Sequence, residues 1–119
     1  MNFRKLGTVA LLLVLLVGCP ATIKVNITNE SDVLIKVIYS TGFESEINSG
    51  ETKEETYKLD CIRIEADGVL YEFKAILPPD NYFEISSFDS SIYAVFTKKK
   101  EFVIHTKNKS ESLKLESDC

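Results

Sequence analysis

From residue 23 onward the chain is built of short runs in which apolar and polar residues alternate, separated by closely spaced turns. In the first run Ile23, Val25 and Ile27 alternate with polar residues, the period-2 pattern of a strand with one buried face. No run in this region shows the period of an amphipathic helix. We therefore expect an all-β domain over residues 23–119: a small antiparallel β-sandwich, immunoglobulin-like or similar, of about eight short strands, with a small barrel as the alternative.

The dipeptide Asp67-Gly68 gives the strongest local prediction. It separates two alternating runs, and it is a preferred sequence for the two-residue type I′ turn of a β-hairpin. Such a turn would pair Ala66 with Val69 on one face and the opposite charges of Arg63 and Glu72 on the other. Turn chemistry, apolar pattern and charge thus predict one hairpin in one register.

Two further runs carry information about the sheets. If residues 23–28 and 33–40 formed a hairpin with an even loop, Lys36 would lie opposite Val25. We therefore expect either an odd loop or placement of the two runs on different sheets. The run over residues 52–59 is largely polar on both faces, which predicts an exposed sheet edge.

The first nineteen residues have the order of an export signal. Arg4 and Lys5 precede an uncharged apolar run over residues 6–17, and the small residue Gly18 stands directly before Cys19. The stretch Leu-Val-Gly-Cys at positions 16–19 resembles the lipobox of bacterial lipoproteins. The resemblance is confined to this segment, and the remainder of the chain resembles no family that we recognise.

The resemblance implies that a signal helix, residues 1–18, is removed and that Cys19 carries a thioether-linked diacyl lipid and an acylated amine, with chains such as palmitate. Residues 19–22 would then be the lipidated cysteine and a short tether, followed by a single domain. A transmembrane helix is the first alternative, but twelve apolar residues give only about 18 Å of the roughly 30 Å that a bilayer core requires. An ordinary secretory signal is the second alternative, although Leu16 fits its cleavage site poorly.

A lipid on Cys19 would place the protein in the cell envelope, membrane-anchored and facing the periplasm or the exterior. Pro20 is not the aspartate associated with inner-membrane retention in enteric lipoproteins, which favours the outer membrane where the organism has one. Because the three residues between Cys19 and Ile23 reach at most about 10 Å, the domain is expected to lie close to the bilayer.

Two cysteines, Cys61 and Cys119, remain once Cys19 is assigned to lipid. An even number of cysteines in an exported domain indicates a disulfide. We therefore predict a Cys61–Cys119 bond; free thiols or an intermolecular bond are the alternatives.

The balance of charged residues indicates which classes of partner the chain can bind. Loss of Arg4 and Lys5 with the signal leaves 12 of the 14 basic residues against 18 acidic ones, which argues against a nucleic-acid partner. Acidic residues concentrate over 44–67 and lysines over 98–114. These regions are either two solvated faces or the two ends of a dipolar domain whose basic end faces anionic headgroups.

Catalytic patterns are not found in the sequence. His105, the one histidine, is expected on the outer face of its strand, without companions for metal binding or base catalysis. The serines lack the glycines of a nucleophile elbow, and the five glycines form no phosphate-binding loop. We therefore predict a non-catalytic protein that has neither a cofactor nor a metal.

Two groups of residues are candidate binding sites. One is aromatic: if Tyr93 and Val95 face the core, the residues of opposite parity would be partly exposed and could bind sugar or protein; this set is Tyr82, Phe88 and Phe96. The other is acidic and consists of Glu51, Glu54 and Glu55. The sequence thus predicts a membrane-anchored interaction or structural module with an envelope protein or glycan as partner. The alternatives are a carbohydrate- or peptidoglycan-binding module and an envelope inhibitor or immunity-type protein.

Overall fold

The computed structural model describes residues 23–85, 89–117 and 119. Over these residues the chain forms ten strands and one 3₁₀ turn, and the strands belong to two sheets that share a core. The predicted small all-β sandwich is confirmed. The strands are β1 (Ile23–Asn29), β2 (Ile35–Ile38), β3 (Glu44–Ile47), β4 (Thr52–Thr56), β5 (Cys61–Ala66), β6 (Val69–Lys74), β7 (Glu84–Ile85), β8 (Ser90–Phe96), β9 (Phe102–His105) and β10 (Ser112–Lys114); the 3₁₀ turn is Asp80–Tyr82.

The larger sheet has the strand order β10-β9-β8-β1-β4, and β7 adds to β8. Strand β1 is therefore paired on both sides, with β4 antiparallel and with β8 parallel. The other strand pairs between described residues are antiparallel. The parallel pair is the one departure from the antiparallel arrangement that the alternating pattern predicted.

The smaller sheet has the order β3-β2-β5-β6. Strands β1 and β2 consequently lie on different sheets, one of the two arrangements that the position of Lys36 allowed. The polar strand β4 ends the strand order of the larger sheet, as its charged sequence predicted.

The β5–β6 hairpin has the predicted register. Ala66 pairs with Val69 and Arg63 with Glu72. Both turn residues have positive φ, 52° at Asp67 and 78° at Gly68, the backbone geometry that a type I′ turn requires.

The core lies between the sheets. On β8 the buried residues are Ile92, Ala94 and Phe96, so the face predicted to point inward, that of Tyr93 and Val95, is the outer one. Phe96 packs in edge-to-face geometry against Tyr71 and Phe73 from the other sheet, with ring centroids 5.9 and 6.2 Å apart. Fully burying a phenylalanine side chain contributes about 1.5–3 kcal/mol, and these contacts join the two sheets.

The strand pairings define two ends of the sandwich. Strand β1 begins at Ile23, which pairs with the start of β8 at Ser90, and the next residue, Lys24, pairs with the end of β4 at Thr56. We call this the N-terminal end. At the opposite end the side-chain amide of the buried Asn29 donates to the carbonyls of Val33 (2.8 Å) and Ile47 (3.0 Å). These two bonds attach the end of β1 to the smaller sheet.

The structure joins the Sγ atoms of Cys61 and Cys119, with the two Cα atoms 5.9 Å apart. This is the pairing that the cysteine count favoured. Cys61 begins β5 in the smaller sheet, whereas Cys119 follows β10 of the larger one. The bond therefore links the two sheets through the C-terminal segment.

Candidate functional site

The three acidic candidate residues lie at or next to β4, but they do not form one surface. Glu51 and Glu54 are exposed, whereas Glu55 is only 7% exposed. Alternate residues of a strand point to opposite faces, and Glu55 is the member that points between the sheets. The acidic candidate surface therefore consists of Glu51 and Glu54, without Glu55.

Glu55 accepts hydrogen bonds from two hydroxyl groups of the smaller sheet. The Tyr39 hydroxyl, just beyond β2, donates to one carboxylate oxygen, and the Ser45 hydroxyl, on β3, donates to the other at 2.6 Å. Burial, together with the hydrogen bond to Glu55, raises the pKa of Tyr39 well above its usual range, so this hydroxyl stays protonated as a donor. The Tyr39 hydroxyl oxygen also accepts a hydrogen bond from the backbone N–H of Thr56 at 3.2 Å. The Glu55 cluster thus fastens the edge strand β4 to the opposite sheet.

An open cleft of about 380 Å³ lies beside the Glu55 cluster. Its volume is in the range of ligand sites, but such sites are mostly apolar and enclose their ligand. Here the cleft is open, six of its eight lining residues are charged residues or threonines, and the rim includes the Lys24–Glu54 ion pair (3.4 Å). The cleft brings the exposed ring of Phe43 next to the β4 edge, and we regard this edge as the candidate site for a macromolecular contact.

The aromatic candidates do not form a sugar-binding patch among the described residues. Phe96 is 0% exposed and Tyr82 is 7% exposed, so both rings belong to the core and neither is open to stack on a sugar. Phe88 lies outside the described residues. The structure assigns Phe96 to the core because it shares the inward face of β8 with Ile92 and Ala94.

His105 was expected on the outer face of its strand. A neighbouring aromatic ring covers the histidine there. His105 pairs with Tyr93 across β8 and β9, and the two rings stack with centroids 6.1 Å apart, leaving His105 9% exposed. Its Nδ1 donates to the carbonyl of Thr106 at 2.8 Å. The histidine is thus held by packing against Tyr93 and by a hydrogen bond to the backbone.

A polar cluster next to His105 is an ion pair at the surface. The Tyr93 hydroxyl donates to Glu84 at 2.8 Å, and the Lys107 ammonium lies 2.9 Å from the same carboxylate. The hydrogen bond from Lys107, and to a smaller extent the one from Tyr93, lowers the pKa of the Glu84 carboxyl. A carboxylate held ionised at an exposed position is suited to pairing with Lys107 and poorly suited to proton transfer.

One group of side chains has the composition of a metal site. In the described part of the chain, ligand atoms of Cys61, Cys119 and Glu72 lie within 4.8 Å of one another. Both sulfur atoms are used in the disulfide, and a metal would need them as thiolates. The group therefore offers no thiolate ligand while the bond is intact.

The lysines over residues 98–114 do not form one basic end. Lys98, Lys99 and Lys100 lie in the turn between β8 and β9, whereas Lys107 and Lys109 lie in the loop between β9 and β10. These connections are at opposite ends of β9, so the basic residues are divided between the two ends of the sandwich. The dipolar arrangement is not the one that the structure has.

Sequence reasoning did not identify Tyr39 and Ser45 as the partners of Glu55. A signal was present in the alternation of residues, because Glu55 has the same parity as the buried Tyr57, and two residues of one parity share a face. The partners themselves could not be predicted, since they come from another sheet.

Comparison with protein-family models, with curated proteins and with solved structures gives no match to this chain. Within the described ranges, no helix has the length and apolar character needed to cross a membrane. Any functional assignment therefore rests on the N-terminal sequence and on the geometry of the domain.

Proposed function

We propose that this chain is a lipid-anchored, non-catalytic protein of the cell envelope, and that its β domain is an interaction or structural module held against the membrane. One observation carries the proposal. The lipobox-like sequence ends at Cys19, and the first strand begins at Ile23. Three intervening residues reach at most about 10 Å, so a lipid on Cys19 would hold the domain at the bilayer surface.

Two features of the described domain support this proposal. A disulfide between Cys61 and Cys119 is typical of an oxidising compartment such as the periplasm or the cell exterior. The polar clusters around Glu55, Glu84 and His105 make hydrogen bonds and ion pairs within the domain, and each has a structural explanation. An interaction module accounts for these features without a reaction.

Metabolic labelling with a fatty acid, followed by cell fractionation, tests the anchor. The wild-type chain is expected in the membrane fraction and to carry the acyl label, because Cys19 is the proposed attachment site. Cys19→Ser is expected to lose the label, since serine offers no thiol for a thioether. Cys61→Ser is the matched control and should keep the label. A Cys19→Ser chain labelled like the wild type would contradict the proposal.

A second candidate function, an envelope inhibitor or immunity-type protein, is favoured by the acidic edge. We define the acidic edge as the exposed glutamates on or next to the terminal strands of the two sheets, β3 and β4: Glu44, Glu46, Glu51 and Glu54. In the described ranges no strand pairs with the outer side of β3 or β4. A sheet edge without a partner strand, together with negative charge, fits a protein partner with a basic surface.

A further inference from the structure

Large apolar side chains are exposed mainly at one end of the domain. The described residues include eight exposed large apolar side chains. Five of these side chains belong to loops or strand ends near the N-terminal end, and they are 40–80% exposed. We call these five the apolar rim: Phe43, Leu59, Ile76, Leu77 and Ile85. The other three, Leu34, Val69 and Leu70, lie at or near the opposite end, beside the starts of β2 and β6.

Ile85 is placed next to the start of β1 by strand pairing. It pairs with Ser90 in β8, and Ser90 pairs with Ile23. Neighbouring strands lie about 4.8 Å apart, so Ile85 is two strand positions away from the first described residue. Its side chain is 80% exposed.

Ile76, Leu77 and Leu59 are placed at the same end through Tyr57. The backbone N–H of Tyr57 donates to the carbonyl of Ile23 at 2.9 Å, and its buried hydroxyl donates to the carbonyl of Ile76. The N–H of Ala75 donates to the carbonyl of Asp60 at 2.8 Å. These bonds bring the segment at 75–77 beside the segment at 57–60, next to the start of β1.

Phe43 completes the apolar rim. Its carbonyl accepts from the N–H of Tyr39 at 2.9 Å, and the two rings lie 6.0 Å apart. Tyr39 in turn is bonded to the N–H of Thr56, whose neighbour Tyr57 is bonded to Ile23. All five rim residues are therefore connected to the start of β1 by a few hydrogen bonds or strand pairs.

We propose that the apolar rim inserts into the interfacial region of the bilayer that carries the lipid on Cys19. This inference rests on the proposed function, because the lipid fixes which surface faces the membrane. The tether of three residues spans at most about 10 Å, comparable to the roughly 5–10 Å depth of the headgroup and acyl boundary. An exposed cluster of apolar side chains marks an interaction surface, and the bilayer is the surface that a short tether holds against this end.

The charges at this end indicate that apolar contact, and not electrostatic attraction, makes the docking favourable. The lysines at this end, Lys58, Lys107 and Lys109, are accompanied by Asp60, Glu84 and Glu111, and Lys107 is paired with Glu84. Docking is therefore expected to change little with salt concentration, unlike the binding of a polybasic segment.

Tryptophan fluorescence tests the inference, since the chain has no tryptophan. Ile85→Trp and Leu77→Trp each place one fluorophore in the apolar rim, and Leu70→Trp, at a site 49% exposed, is the control near the opposite end. The full lipidated chains are reconstituted into vesicles of phosphatidylethanolamine and phosphatidylglycerol, with or without brominated acyl chains. We expect bromine to quench positions 85 and 77 at least about threefold more strongly than position 70, given the interfacial depth of the rim.

The possible outcomes separate this inference from the anchor. Chains that float with the vesicles but show equal, weak quenching at all three positions overturn membrane docking and leave the anchor standing. If positions 85 and 77 are then also shielded from aqueous iodide, the rim is a contact between proteins. Chains that do not float with the vesicles overturn both the anchor and the docking. Thermal unfolding of each variant confirms that the substituted domain is folded.

Discussion

Glu55 and Glu54 are neighbours in sequence and have different roles, because successive residues of β4 point to opposite faces. Glu54 is exposed and pairs with Lys24 at 3.4 Å. Glu55 is buried and accepts from Tyr39 and Ser45 of the other sheet. A buried carboxylate is costly without such partners, so the two hydroxyl groups are what makes a glutamate tolerable at this position.

Removing Glu55 and removing Glu54 are expected to lower the free energy of unfolding by different amounts. Glu55→Ala leaves two hydroxyl groups without their acceptor and should lower the free energy of unfolding by about 2–6 kcal/mol, because each buried polar group left unsatisfied costs about 1–3 kcal/mol. Glu54→Ala should lower it by less than about 1 kcal/mol, the usual range for an exposed ion pair. Urea unfolding followed by circular dichroism measures both. Equal losses would contradict the role assigned to Glu55.

At the scale of the strand, β4 is both the edge of the larger sheet and the location of two exposed acidic residues. The burial of Glu55 determines which substitutions can test this edge as a contact surface. A lysine at position 55 would introduce an ammonium between the sheets, and any lost binding would then reflect lost folding. Glu51 and Glu54 are exposed, so both can be replaced by lysine without placing a charge in the core.

If the acidic edge binds an envelope protein, crosslinking in living cells should capture one dominant partner, identified by mass spectrometry. The double variant Glu51→Lys with Glu54→Lys is expected to lose that product at least about tenfold, since like charges across an interface are strongly unfavourable. Glu111→Lys with Glu116→Lys makes the same change in net charge at exposed positions near β10 and should retain it. Equal loss in both variants would indicate a charge effect unrelated to the edge.

Which elements could be predicted from the sequence depended on the distance between partners along the chain. The β5–β6 register followed from Asp67-Gly68, because a two-residue turn determines every pair in its hairpin. The parallel pairing of β1 with β8 could not be predicted, since alternation identifies the buried face of a strand and not its neighbour. The inward face of β8 was predicted with the wrong parity. Its outer residues Tyr93 and Val95 are themselves half-buried, so both faces of this strand are apolar.

For the candidate sites too, features within one strand could be predicted, whereas contacts between the sheets could not. The position of β4 at an exposed edge could be predicted from its charges, but the burial of Glu55 depended on hydroxyl groups from another sheet. Tyr82 and Phe96 were candidates for exposure because aromatic residues occur at both parities of this region. Packing against Tyr71 and Phe73 of the smaller sheet decides the position of Phe96, and single-strand patterns contain no information on that contact.

At the scale of the whole molecule, the Cys61–Cys119 bond closes the C-terminal segment onto the smaller sheet across 58 positions of sequence. Lys74 is the cross-strand partner of Cys61, and its N–H donates to the carbonyl of Glu116, near Cys119, at 2.8 Å. A crosslink of this span restricts mainly the unfolded chain.

Loss of the disulfide should therefore be measurable as a loss of global stability. Cys119→Ser is expected to lower the free energy of unfolding by about 4 kcal/mol, from the loop-closure entropy of the unfolded chain. Urea unfolding with and without reductant provides the measurement. Reductant should destabilise the wild-type chain and leave Cys119→Ser unchanged. Two titratable thiols in the oxidised, denatured wild-type protein would contradict the bond.

The central position of β1 has a mechanical consequence. The strand that follows the proposed anchor is flanked on both sides, by β4 and by β8. A pull on the lipid along the axis of β1 would load these two ladders in shear, since their hydrogen bonds run across the strand direction. Many bonds would then have to break together, whereas a pull on an edge strand from its end can open bonds one after another. An anchor at Cys19 would thus attach the domain through an internal strand, so that two hydrogen-bond ladders share the tension.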